Sequence, residues 1–155
     1  MKKNLIILFM CSFCLSCIHE NEHSHHTITF YNNSDKDIYV VQSDRDYPDT
    51  ASLQRYAFWS QPQIYKVASH GTNTNAFWRR SSYESSFKTG EWQDTIIVLV
   101  FDAEILEINK IADDGSVLQR YDLSLQDLQR LNWTLSYPPT ESMKDIKMWP
   151  RFEKK

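Results

Sequence analysis

Glycine is scarce, with three residues in 155, and Gly71, Gly90 and Gly115 stand alone. No glycine-rich loop can therefore cradle a phosphate, which excludes the common nucleotide-binding turns. Histidine is as poorly placed for catalysis. Four of the five lie between residues 19 and 26, leaving His70 in Ser69-His70-Gly71-Thr72, which reads as a strand connection. With no Gly-x-Ser-x-Gly elbow, a serine triad has little to stand on. All three cysteines, Cys11, Cys14 and Cys17, fall within the first 17 residues. The body must hold itself together without disulfides. Excess positive charge is absent too: the formal net charge is −3. A nucleic-acid partner needs a concentrated basic face to neutralise phosphates, and none is visible.

What is present begins with an address. Met1-Lys-Lys-Asn is a short positive region, and residues 5–15 form an apolar run of 11 residues. A helix crossing the hydrocarbon core needs roughly 20, so the run reads as the apolar part of a signal peptide over residues 1–16. Its removal takes away Lys2 and Lys3, so 17 basic side chains become 15 against 20 acidic, a mature charge of −5. Cys14-Leu15-Ser16-Cys17 resembles a bacterial lipobox, with Cys14 where a leucine is usual. The resemblance implies lipid attachment at Cys17, cleavage before it, and acylation of the new amino terminus. Ile18, rather than Asp, follows the cysteine, which in such lipoproteins favours the outer membrane. Glu20 and Glu22 faintly resemble an acidic surface-export stretch, leaving the periplasmic and cell-surface faces both open. Residues 17–26 then read as a tether rich in His and Glu, a solvated spacer rather than a metal site, because no surrounding shell supports its imidazoles.

Residues 27–139 read as one domain of short strands. Residues 27–31 alternate, residues 38–41 are β-branched and aromatic, and together they predict a hairpin or corner. Residues 64–67 and 75–78 are further strand candidates. Residues 95–101 (TIIVLVF) are apolar without alternation, which predicts a central strand covered on both faces. Residues 102–111 fit helix and strand alike. Residues 117–123 and 133–137 alternate as strands, and between them Ser124-Leu-Gln-Asp127 has capping-box form ahead of Leu125, Leu128 and Leu131 on one helical face. About seven strands and one or two short helices, without long crossovers, predict a mainly β fold, a β-sandwich of immunoglobulin-like outline. Residues 140–155 form a tail that either returns over the body or frays. Two irregular stretches, 43–61 and 79–93, are long for connections and are where a site is expected.

Several constellations in the sequence bear on chemistry. Asp44-Arg-Asp46-Tyr-Pro-Asp49 begins like a calcium loop but has Asp49 and Arg55 where Gly and Glu are required, so no metal is expected. Asp102, Glu104 and Glu107 follow the central strand and could act as paired carboxylates, although 20 acids make such pairs common by chance. Aromatics are abundant at 14%. Tyr56, Phe58 and Trp59 in the first long stretch, with Tyr83, Phe87 and Trp92 in the second, could stack on sugars or anchor a protein, or pack their own loops. Arg79-Arg80 reads as a solvated edge. Asp49-Thr50-Ala51 and Asp94-Thr95-Ile96 resemble an O-glycosylation pattern of Bacteroides-type bacteria, with Thr50 better placed than Thr95, which should start a buried strand.

The segments Val98-Leu-Val-Phe101-Asp102-Ala103, Arg120-Tyr-Asp-Leu-Ser-Leu-Gln-Asp-Leu-Gln-Arg-Leu-Asn-Trp133-Thr and Tyr137-Pro138-Pro139, with the lipobox, resemble a family of small Bacteroides-type lipoproteins of unknown function. The resemblance implies lineage and envelope address, and brings no catalytic residues. The expectation is a lipid-anchored envelope protein without cofactor or enzymatic activity, binding a glycan or protein. A carboxylate-dependent hydrolase and a purely structural component are the competing readings.

Overall fold

The computed structural model describes residues 24–43, 61–92, 94–109 and 114–154. Cys17, residues 44–49, Thr50, Tyr56, Phe58 and Trp59 lie outside them. Among the described residues, eight strands form two sheets joined by short helices, the mainly β, sandwich-like fold expected from the sequence. In the smaller sheet, β1 (Thr29–Asn32) lies between β4 (Thr72–Asn73), which runs antiparallel to it, and β7 (Thr134–Tyr137), which runs parallel. The larger sheet is antiparallel in the order β3 (Lys66–Val67), β2 (Ile38–Ser43), β5 (Ile96–Asp102), β6 (Val117–Leu123), β8 (Lys147–Trp149). Consecutive β1 and β2 belong to different sheets, so their connection is a corner and not a hairpin.

All seven residues of β5 are buried, which explains its unbroken apolar run. Ile96, Val98 and Val100 face the core between the sheets, with Phe30, Tyr121 and Leu135. Ile97, Leu99 and Phe101 pack on the opposite face with Tyr39, Val41 and Leu106. Leu106 belongs to a helix over residues Ala103–Asn109, which resolves the ambiguous stretch after β5. Asp102 starts this helix: its Oδ1 accepts from the amides of Glu104 and Ile105 at 3.0 and 3.3 Å, relieving end donors that lack a helical partner.

Three expectations from the sequence need correction. Ile64 and Tyr65 lie in a single helical turn, α1 (Pro62–Tyr65), because Pro62 is preset for a helix start, and β3 begins only at Lys66. Residues 75–78 are not a strand. Asn73 Oδ1 accepts from the amides of Asn75 and Ala76, both at 2.8 Å, and curls the chain out of the sheet. Residues 79–93 are not wholly irregular, since they contain α2 (Tyr83–Thr89), capped by the Ser82 hydroxyl and ended by Gly90 at φ +73°. The helix over Ala103–Asn109 is α3, and α4 (Leu125–Arg130) carries the expected capping box between Ser124 and Asp127. Leu128 and Leu131 point its apolar face into the core. The tail returns over the body: β8 adds an edge to the larger sheet, and Met143, Ile146 and Met148 enter the core.

Candidate functional site

The carboxylates after the central strand meet lysines from distant segments. Asp102 is 3% exposed, and its Oδ2 accepts from Lys36 Nζ at 2.8 Å. Burial pushes its pKa up, but Lys36 and the helix-start amides outweigh burial and hold it below the ordinary value. Lys66 Nζ donates to Glu107 at 2.8 Å and lies 3.3 Å from Asp37. Its own pKa is raised, chiefly by Glu107. The Tyr39 hydroxyl also donates to Glu107, and burial followed by Glu107 raises that phenol. Lys36, Asp37, Lys66, Asp102 and Glu107 line a cleft of about 340 Å³ with Glu104 and Ile108. A proton-donating carboxyl should have a raised pKa near the working pH, and Asp102 shifts the other way. Among the described residues, no cluster of three or more His, Cys, Asp or Glu could hold a metal.

The aromatics of the second long stretch turn inward. Tyr83 is fully buried, donating its hydroxyl to Phe77 O at 2.7 Å, while Phe87 and Trp92 pack against the core as half-buried rings. Arg79 is therefore no solvated edge. Its guanidinium lies 4.0 Å from the Trp92 ring centroid and 5.4 Å from that of Tyr83, and it donates to Ser86 and Glu91. Arg80 is exposed, as expected. The end of the tether is bound to this cluster rather than solvated. His25 places Nδ1 2.6 Å from Glu84 Oε1, stacks on Trp133 at 4.2 Å, and accepts from Tyr83 N at its carbonyl. The His26 carbonyl accepts from Arg79 N at 2.9 Å.

A second hollow, of about 290 Å³, lies over the outer face of the smaller sheet. Alternation explains its wall. Phe30 and Asn32 point inward from β1, so Tyr31 points out and is 41% exposed. The parallel register sets Tyr31 beside Ser136, and its antiparallel partner is Thr72. Asn33, Asn132, Thr134 and Arg130 complete the lining that matters for polarity. Arg130 is held in place by donating to Ser142 O and Asp127 at 3.0 and 3.1 Å. Asn132 and Trp133 both have positive φ, 50° and 57°, which is uncommon for a bulky tryptophan. Burial of the Trp133 ring in the core and the bond from its amide to Leu128 O hold this turn at the groove's edge. Sequence reading missed this groove, although the parity that sends Ile28 and Phe30 inward also sends Tyr31 outward.

His70 sits at a turn with φ 54°, its exposed Nε2 2.9 Å from Asp35, as the strand-connection reading expected. Thr95 is exposed immediately before β5 rather than buried at its start. No family model, curated protein or solved structure matches the chain.

Proposed function

We propose that the chain is a lipid-anchored protein of the cell envelope, held through Cys17 at the outer membrane, which works as a non-enzymatic interaction module and takes a saccharide in the groove beside Tyr31. The observation that carries this reading is the pairing of an exposed phenol ring with a rim of amide, hydroxyl and guanidinium groups, of which the Arg130 guanidinium is held by Ser142 and Asp127. A sugar offers the same combination, C–H faces for the ring and hydroxyls for the rim. At about 290 Å³ the groove suits one or two sugar rings, since small-molecule sites start at roughly 300 Å³. The lipobox and the resemblance to Bacteroides-type lipoproteins support the envelope address. Palmitate labelling of the native chain and of Cys17→Ser tests the anchor, with label on the native chain alone expected.

The binding reading is tested on a glycan array followed by calorimetry with Tyr31→Ala and Tyr31→Phe. Loss of binding by at least tenfold in the first and retention in the second is the expected result. A silent array sinks it, as does unaltered affinity in Tyr31→Ala. The competing hydrolase reading draws on Asp102, Glu104 and Glu107 sharing a cleft. Against it, the Asp102 carboxyl has a lowered pKa and a lysine partner, and Glu107 already accepts from both Lys66 and Tyr39.

A further inference from the structure

The tether is short compared with the domain it holds. Seven residue steps separate Cys17 from Ser24, where the described chain begins. Fully extended they span at most about 25 Å. A domain of this size has a radius of gyration of roughly 14 Å, hence is about 35 Å across. The body cannot turn its far side to the membrane on such a leash. The docking point is well defined, because His25 is bound to Glu84, Trp133 and Tyr83, and His26 to Arg79.

Beside that point stands Trp78, next in the chain to the residue whose amide binds the His26 carbonyl, and 58% exposed. Arg80 is exposed two residues on. The acids nearest in this cluster have partners, Glu84 hydrogen-bonded to the His25 ring and Glu91 ion-paired with Arg79. Tryptophan favours the headgroup level, where an amphipathic ring meets both water and acyl chain, and a neighbouring arginine meets phosphate. We propose that the Trp78–Arg80 face rests on the phospholipid surface to which the chain is anchored. This inference depends on the Cys17 lipid and not on the saccharide groove.

The test uses the full mature lipoprotein in vesicles of phosphatidylethanolamine and phosphatidylglycerol with brominated acyl chains, which quench tryptophan emission at contact. Trp78→Phe should lose most of the quenching seen in the native chain. Trp149→Phe, which removes another exposed ring, 52% accessible on β8, should keep it. Arg80→Gln should weaken quenching in vesicles containing phosphatidylglycerol. If the chain carries its lipid and stays on the vesicles, yet Trp78→Phe is quenched like the native chain, the membrane face is overturned and the anchor stands. If the mature chain has no lipid mass at Cys17 and washes off, the anchor reading fails, and the reach that sets Trp78 at the surface fails with it.

Discussion

Asn32 is the side chain on which the corner between the two sheets depends, and its replacement gives a two-sided test. It is fully buried at the end of β1. Nδ2 donates to Lys36 O, Ala68 O and Val67 O at 2.7, 3.0 and 3.2 Å, and Oδ1 accepts from the Ser34 amide and hydroxyl at 3.1 and 2.7 Å. Two amide hydrogens serve three carbonyls, so one bond is shared. Each such bond contributes about 0.5–1.5 kcal/mol net, and buried carbonyls left without donors cost more. Asn32→Ala should therefore destabilise the domain by about 2–4 kcal/mol. Asn32→Asp keeps the shape but turns a donor into a carboxylate facing three carbonyl oxygens. Ser34 would bind that carboxylate better, which offsets part of the cost. A buried charge against acceptors still outweighs it, so Asn32→Asp should be the less stable variant at pH 7 by about 1 kcal/mol or more. Such a carboxyl has its folded pKa raised above the unfolded value of about 3.9. The penalty is then present at neutral pH and shrinks as the pH falls through the raised folded value toward about 4. Urea unfolding followed by tryptophan fluorescence, at several pH values, measures both effects. If Asn32→Asp matches the native chain at pH 7, the donor role of this amide is wrong.

Nearby, a Cβ on Gly71 would stand 2.8 Å from the Ala68 carbonyl, a backbone atom with little freedom. Gly71→Ala should cost about 1–3 kcal/mol, seen as a lower Tm. Leu99 is 1% exposed between β5 and α3, so Leu99→Ala should cost about 2–5 kcal/mol by urea unfolding. Ser124→Ala removes the hydroxyl that caps α4 and should cost about 1 kcal/mol in the same assay. Burial raises the Asp122 pKa, but Arg120 and Lys147 overcome it and hold the pKa below 3.8. Its contribution is full above 3.8 and lost as the pH falls through the lowered folded value. Asp122→Asn should thus lower the urea midpoint at pH 7 and narrow the gap between pH 7 and pH 3.

The elements legible in the sequence were those whose pattern is local and complete. The apolar run before Asp102 could only be a strand covered twice, and Ser124 with Asp127 could cap a helix whatever lay around it. The three misread segments share a different cause: one side chain redirects a pattern that otherwise fits. Pro62 starts a helical turn that takes in Ile64 and Tyr65, Asn73 takes two amides from the strand that would have followed, and Ser82 caps a helix whose own periodicity is weak. In each case the one or two hydrogen bonds of a single side chain, or its ring constraint, outweigh propensities worth a few tenths of a kcal/mol per residue.

The candidate sites were harder for a reason that no local pattern can cure. Composition counts rings without saying which face inward, so Tyr83, Phe87 and Trp92 drew attention that Tyr31 deserved by parity alone. With the carboxylates the difficulty is distance along the chain. Asp102 and Glu107 look like a catalytic pair until Lys36 and Lys66, 66 and 41 residues away, are found against them. The same acid would suit proton donation in an apolar pocket and suits ion pairing here, because its partner decides the sign of its pKa shift. Replacing Lys36 by Met removes that partner while keeping the apolar stem. The Asp102 pKa, followed by NMR titration, should then rise, since burial would act with only the helix-start amides opposing it. An unchanged value would mean that those amides alone set its charge.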